Sequence, residues 1–354
     1  MPLSSADIEK RRFGIGASEV AALLGVDPWT SPLLVYARKA GEAHYDDADV
    51  GPAAEWGNRL EAVVAEKYTS SRPGVAAFAC GTVRHPDSPH VLATVDRLCG
   101  PEAQAEELGR HAAASNAGTG AGYAPPWMRP PSWAWLVEIK APTGRIAKEW
   151  GEHGTDDLPE RYIIQAQQQM AVTGLARVHF AVLIAGHDYR EYTVDRDEAL
   201  VSLCVETCER FWRDHVEKIV PPPVTAHKAD SGYLAKLFPR SKRPVREATP
   251  LETDLAVKLR VIRERKREVE GQERLVVAQL KEKIGEARGI IAPWGKIELV
   301  DVKDKAATAW KALAMAKGAT PEEISANTTM KPQKRRFTPR FEGEDEEDDD
   351  GGQE

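Results

Sequence analysis

Three consecutive prolines at 221–223 place the sharpest constraint on how this chain can fold. Each lacks a backbone N–H and fixes its own φ, so neither a helix nor an internal strand can run through them. The run is therefore the best domain boundary that the 354 residues offer. The stretch before the prolines, "RDEALVSLCVETCERFWRDHVEKI", is amphipathic at helical spacing and should end as a helix against the block. The expected division is a first domain over 1–220, a linker over 221–249, a helical extension with a small hairpin over 250–330, and a basic arm with a disordered acidic tail over 331–354.

The first domain alternates helical and extended patterns. "GIGASEVAALLGVDPW" starts with glycines, offers Ser18 as a helix cap and ends its apolar run at Gly25. "AEWGNRLEAVVAEKYTS" repeats Trp56, Leu60, Val63, Val64 and Tyr68 at a helical period. "HPDSPHVLATVDRLC" reads as a turn feeding a short strand that finishes at Asp96. Residues 100–132, rich in Ala, Gly and Pro, read as a flexible insertion, and a strand comes next at about 134–140. "LPERYIIQAQQQMAVTG" is a helix between Pro159 and Gly174, and "RVHFAVLIAGHDYREYTV" is two strands joined at "GHD". Beyond the prolines, a charged helix over about 250–287 carries Leu251, Leu255, Leu259 and Ile262 on one stripe. "GIIAPWGKIELVDV" suggests a hairpin and "ATAWKALAMAKG" a further helix.

Charge and cysteine usage bound the function only loosely. The formal charge of −7 is dominated by residues 342–354, "EGEDEEDDDGGQE", with nine acids and no base. Without that stretch the chain has 48 basic residues against 46 acidic ones, which neither demands nor excludes a nucleic-acid partner. The tail itself reads as a solvated end. No apolar run is long enough to cross a bilayer, and the opening "MPLSSADIEKRR" has no apolar segment behind its charges, so a cytoplasmic location with no membrane association is expected. Cys80, Cys99, Cys204 and Cys208 lack close Cys-x2-Cys clustering, so core packing is expected and an iron–sulfur cluster is not.

The chemistry concentrates in "LVEIK" at 136–140. Residues i and i+2 of a strand share a face, so Glu138 and Lys140 stand side by side. Alone, such a pair is an ordinary surface ion pair. Together with Asp96 ending another strand, it has the parts that metal-assisted phosphodiester hydrolysis needs. Two carboxylates converging in a cleft call for a cation. Magnesium prefers oxygen ligands, and a neighbouring lysine can orient or deprotonate the attacking water.

These segments together resemble the lambda-exonuclease/YqaJ-type viral recombinase family of PD-(D/E)xK nucleases. The matching pieces are "RRFGIGASEVAALLGV", "EWGNRLEAVVAEKY", "HPDSPHVLATVDRL", "LVEIKAP", "LPERYIIQAQQQMAVTGLARVHFAVLIAG" and "WRDHV", in the family's order over about residues 11–216. The resemblance implies an α/β fold with a restriction-endonuclease-like core, a central mixed β-sheet flanked by helices, continued here by a mainly helical C-terminal extension. It implies a Mg2+-dependent 5′-to-3′ exodeoxyribonuclease, with Mn2+ able to substitute, that resects linear double-stranded DNA ends for phage-type recombination. Its partners would be those DNA ends, a single-strand annealing protein and further copies of itself in a ring trimer.

Residue by residue, Asp96 and Glu138 resemble the family's metal ligands, with the Ile139 carbonyl as a third and Glu61 reaching the metal through water. Lys140 resembles its catalytic lysine and Gln165 a glutamine that supports the site. Ser18 and an arginine of "RRFG", Arg11 or Arg12, fall where the family grips a 5′ phosphate. Each has a plainer rival: Ser18 as a cap, Arg11 and Arg12 as solvated charges, Gln167, Gln168 and Gln169 as a polar helix face. Two departures stand out. Arg97 takes the place of a glycine after Asp96, where it would contact DNA or crowd the site, and 41 residues separate Asp96 from Glu138. A PD-(D/E)xK endonuclease and a non-catalytic DNA-end-binding scaffold are the competing readings. In the extension, Lys334, Arg335, Arg336 and Arg340 around Phe337 would either track a nucleic-acid backbone or remain solvated.

Overall fold

The structure, a computed structural model, describes residues 10–41, 52–116, 129–238, 244, 246–300, 305–308, 328–331 and 336–341. The chain divides into two compact units, Met1–Lys242 and Arg243–Glu354. The helices of the first unit are α1 (Val20–Leu23), α2 (Pro32–Lys39), α3 (Pro52–Ser70), α4 (Ala105–Asn116), α5 (Glu160–Thr173), α6 (Glu198–Phe211) and α7 (Lys228–Leu237). Its strands are β1 (Val75–Ala79), β2 (Thr82–Arg84), β3 (Leu92–Thr94), β4 (Arg97–Pro101), β5 (Trp135–Lys140), β6 (Arg177–Ile184) and β7 (Asp188–Asp195).

A five-stranded mixed sheet in the order β1-β4-β5-β6-β7 forms the centre of this unit. Only β5 and β6 run parallel, with Glu138 opposite Phe180. A parallel pair needs a crossover, and α5 supplies it. The alternation of β5 then decides which layer each residue meets. Leu136 joins the larger core with Ile164, Met170 and Val172 of α5 and with Cys204, Cys208 and Phe211 of α6. Val137 and Ile139 face the other way, onto Val64 and Tyr68 of α3. Each large apolar side chain buried this way contributes about 1.5–3 kcal/mol. The architecture is thus α/β, a central mixed sheet flanked by helices.

Several local expectations are corrected. The segment read as a flexible insertion holds α4, whose Leu108 and Ala112 are buried one turn apart against the edge of the sheet; residues 117–128 lie outside the described ones. Alanine is the best helix former, and the Leu–Ala pair gives that helix one apolar face. Of the 41 residues between Asp96 and Glu138, the described ones hold all of β4, the helix α4 and the first three residues of β5. The linker holds α7, which docks Tyr233 on Leu33, Leu34 and Ala37, while Asp230 accepts from Ser31 and Thr225. The first unit consequently ends at Lys242, not at the prolines. Ser18 does not cap α1, whose N-cap position is Glu19 with no side-chain capping bond. In α3, Val64 and Tyr68 are buried, but Trp56 and Val63 of the expected stripe are exposed.

The second unit contains α8 (Pro250–Ile284), β8 (Gly289–Ala292), β9 (Gly295–Val300), β10 (Lys305–Thr308), β11 (Thr328–Lys331) and β12 (Arg336–Phe341). Thr249 and Glu252 form a reciprocal capping box at the start of α8. Its Leu251, Leu255, Leu259 and Ile262 are exposed. The expected hairpin is β8–β9, and β12 adds to it in the order β12-β9-β8. Residues 336–341 of the expected basic arm are thus a strand rather than a free arm. Among the described residues of the extension, the 35-residue helix is accompanied by these short strands. Of the helix expected over "ATAWKALAMAKG", the first two residues belong to β10 and the rest lie outside the described residues, as does the acidic tail. Among the described residues, no helix is long and apolar enough to cross a membrane.

Candidate active site

The ladder between β4 and β5 ends at Arg97 opposite Val137, and Asp96 stands at the corner just before it. There the Asp96 Oδ2 accepts the Ile139 N–H at 2.8 Å, so a side chain replaces the next ladder partner. This bond fixes the aspartate beside the Glu138–Lys140 face of β5. Glu138 is buried, 4% exposed, and three donors converge on it. Lys140 Nζ and Gln165 Nε2 reach its Oε1 at 2.5 and 2.6 Å, and Gln169 Nε2 reaches its Oε2 at 2.6 Å. Burial and the facing Glu138 charge push the Asp96 carboxyl well above the usual carboxylate range. Burial would lower the Lys140 ammonium, but Glu138 and Asp96 hold it charged, at about 12.

Helix α5 assembles this centre. It begins after Pro159 and stops at Gly174, whose φ of 74° is the left-handed cap that glycine adopts without strain. Gln165 and Gln169, one turn apart, point at the same carboxylate. Gln169 also donates to the Thr94 carbonyl at 3.1 Å, and so ties Glu138 to the segment that carries Asp96. Gln168 donates to the carbonyls of Ile15 and Leu92, and Gln167 to that of Asp195. All three glutamines are buried and bonded, so the polar face read from the sequence is turned into the protein and toward several segments at once. The sequence did hold a clue. Three consecutive helical residues sweep about 200° around the axis, too far to share one polar face.

The other candidates are also placed. Glu61 pairs with Arg97 at 2.7 Å, and Arg97 donates to the Asp96 carbonyl at 2.6 Å. Arg97 is thus engaged within the protein instead of standing free for DNA. Where spacing alone did not choose between Arg11 and Arg12, the Arg11 guanidinium donates to Ser18 Oγ at 2.9 Å, while Arg12 is exposed. Beneath them Glu19 accepts from Lys39 at 2.6 Å and from the Gly16 N–H at 2.8 Å. The glycines of "GIGAS" permit this packing: a Cβ on Gly14 would come within 2.7 Å of the His90 carbonyl oxygen. Cys204 and Cys208 lie in the core beside α5, and burial pushes the Cys204 thiol up to about 12.

Among the described residues, no group of three or more His, Cys, Asp or Glu side chains gathers as a metal site. The donor set is instead two carboxylates, Asp96 and Glu138, with the Ile139 carbonyl on the same strand. An all-oxygen set of this kind suits a hard divalent cation that keeps several waters. The facing acid charges, expressed in the raised Asp96, fit such an ion as well.

A family described as "YqaJ-like viral recombinase domain" matches residues 8–176, which contain Asp96, Glu138, Lys140 and both α5 glutamines. Residues 8–176 of this chain are thus similar to a YqaJ-like viral recombinase domain. The Bacillus subtilis (strain 168) protein YqaJ is 24% identical over 281 residues, covering 78% of this chain and 77% of its own length. The fold is also similar to an alkaline exonuclease, LHK-Exo, from Laribacter hongkongensis, at a TM-score of 0.44 and 19% identity over 66% of this chain and 100% of that one. A phage-related exonuclease from Haemophilus somnus 129PT is similar at a TM-score of 0.35 and 11% identity over 58% and 96%.

Proposed function

We propose that this protein is a metal-dependent deoxyribonuclease that degrades linear double-stranded DNA from its 5′ ends, exposing 3′ strands for annealing during phage-type recombination. One observation carries the reading: Asp96 is held from a separate segment beside Glu138 and Lys140 of β5, and Gln165 and Gln169 fix the shared carboxylate. Asp96, Glu138 and the Ile139 carbonyl would hold Mg2+ or Mn2+, with Glu61 reaching it through water. The ion, when bound, polarises the scissile phosphate and makes a bound water more acidic. Lys140 supplies positive charge for the pentacoordinate phosphate and orients the attacking water. The two glutamines prevent Glu138 from rotating away, so the negative oxygens meet the ion without reorganisation. Arg11 and Ser18 present a guanidinium and a hydroxyl suited to a terminal 5′ phosphate.

The match of residues 8–176 to a family described as "YqaJ-like viral recombinase domain" supports the recombination part of this reading. The test uses end-labelled linear duplexes, with and without 5′ phosphate, beside a covalently closed circle, in Mg2+ and in EDTA. Digestion in Mg2+ of the phosphorylated linear duplex, sparing the circle, is expected. Cleavage of the circle would make the protein an endonuclease, and binding without cleavage under any divalent metal would make it a scaffold. Substituting Ser18→Ala should erase the preference for a 5′ phosphate and leave digestion of the unphosphorylated duplex in place.

A further inference from the structure

Arg161, on the first turn of α5, is 8% exposed and carries an incomplete set of bonds. Its Nη1 donates to Glu149 Oε2 at 2.6 Å. Its Nε and Nη2 are buried and have no acceptor among the described residues. These two N–H groups lie on one edge of the planar guanidinium, the side-on fork that matches two oxygens of a carboxylate or phosphate. A buried donor without a partner carries its full desolvation penalty, so a free fork in a folded core needs an explanation.

The surroundings point to what the fork is for. The Trp29 ring lies 4.5 Å from the Arg161 Cζ, and the Tyr162 ring lies 4.6 Å from it. The same Tyr162 ring is 5.0 Å from Lys140 Nζ, so the fork and the catalytic ammonium share one aromatic neighbour. Trp29 is half in solvent, its loop turned by the N–H groups of Trp29 and Thr30 on Asp27 Oδ1 at 2.7 Å. Rings against a guanidinium occupy its faces and leave its edges for hydrogen bonds. Trp150, stacked on Tyr162 at 5.1 Å, adds a second buried donor without an acceptor among the described residues, its Nε1.

We infer that Arg161 is a phosphate-binding residue for the DNA strand being cut, taking a phosphate that flanks the scissile one when the half-exposed Trp29 ring moves aside. The inference rests on the deoxyribonuclease reading of the neighbouring site and adds a substrate contact to it. Arg11 and Ser18 hold the chain terminus in that reading, whereas Arg161 grips the backbone near Lys140. A purely structural guanidinium would need no free edge.

The experiment measures binding of duplex DNA in EDTA, where nothing is cut, at several salt concentrations, for wild type, Arg161→Met and Arg161→Lys. Methionine keeps an apolar stem against the rings, and lysine keeps the charge without the fork. Releasing one phosphate contact should lower the slope of log K against log salt by about 0.9 in Arg161→Met and weaken binding about tenfold. Arg161→Lys should retain the slope but bind more weakly than wild type, and it stands in for the methionine variant should that one fail to fold. Equal losses on 5′-phosphate and 5′-hydroxyl duplexes assign the fork to a backbone phosphate; a loss confined to the phosphorylated duplex assigns it to the terminal one. Wild-type slope and affinity in either folded variant overturn the inference. A parallel digestion of the linear duplex by wild type in Mg2+ reports separately on the nuclease reading.

Discussion

Three donors converge on Glu138, and each constrains it differently. Lys140 brings charge, whereas Gln165 and Gln169 bring only direction. Removing the charge in Lys140→Ala should slow cleavage by about 10^3-fold and leave duplex binding in EDTA within about twofold, read by single-turnover digestion and by filter binding. Unchanged cleavage would remove Lys140 from the chemistry. Removing direction should act on the metal. Gln169→Met keeps core volume but leaves one Glu138 oxygen without its amide, so Mn2+ affinity should fall about tenfold by titration monitored with electron paramagnetic resonance. Equal Mn2+ affinity in a folded Gln169→Met would reduce that residue to packing.

Helix α3 is joined to the sheet by a polar contact as well as by its apolar face. Trp135 Nε1 donates to Tyr68 Oη at 2.9 Å, and the Tyr68 hydroxyl lies 2.6 Å from His179 Nδ1 on β6. A neutral His179 can accept the Tyr68 proton, whereas a protonated ring has no acceptor to offer. Burial, then Arg72 and Arg177, lower His179 to about 4. Its folded pKa thus lies below the unfolded value of about 6.5, so the unfolded chain binds the extra proton between those limits. The stability is complete above about pH 6.5 and is lost as pH falls toward 4, on the order of 2 kcal/mol after allowing for partial exposure. Chemical denaturation at pH 7 and pH 4.5 should show His179→Gln losing less over that interval than wild type. At the C-terminal end of α5, Gly174→Ala forces an L side chain to φ 74° and should cost about 1 kcal/mol in the same assay.

At the scale of the whole molecule, the proposed metal binding would be linked to folding. The first unit buries Glu138 and partly buries Asp96 in its own sheet, and the Asp96 carboxyl is raised by burial and by Glu138. An ion that binds this pair in the folded chain and not in the unfolded one must raise the melting temperature. At a hundred times its dissociation constant the gain is about 2.7 kcal/mol. Scanning calorimetry with Mn2+ should show the rise in wild type and none in Asp96→Asn or Glu138→Gln. A rise that survives both substitutions would place the ion elsewhere.

Local patterns settled much of this molecule in advance. The two-residue alternation of "LVEIK" put Glu138 and Lys140 on one face, and the Pro159–Gly174 pair bounded α5, because backbone geometry and punctuation act over a few residues. Other features could not be read that way. The glutamine run of "QAQQQ" looks solvated until the carbonyls of Ile15, Leu92, Thr94 and Asp195 arrive from elsewhere to satisfy it. Arg97 meeting Glu61, the free fork of Arg161 under Trp29, and the docking of α7 beyond the prolines all join residues far apart in the chain. Periods and turn signals belong to the sequence itself, since they express local free energies. Whether a polar group ends in water or against a distant carbonyl depends on which surfaces the folded chain brings together, and that is decided only when the core closes.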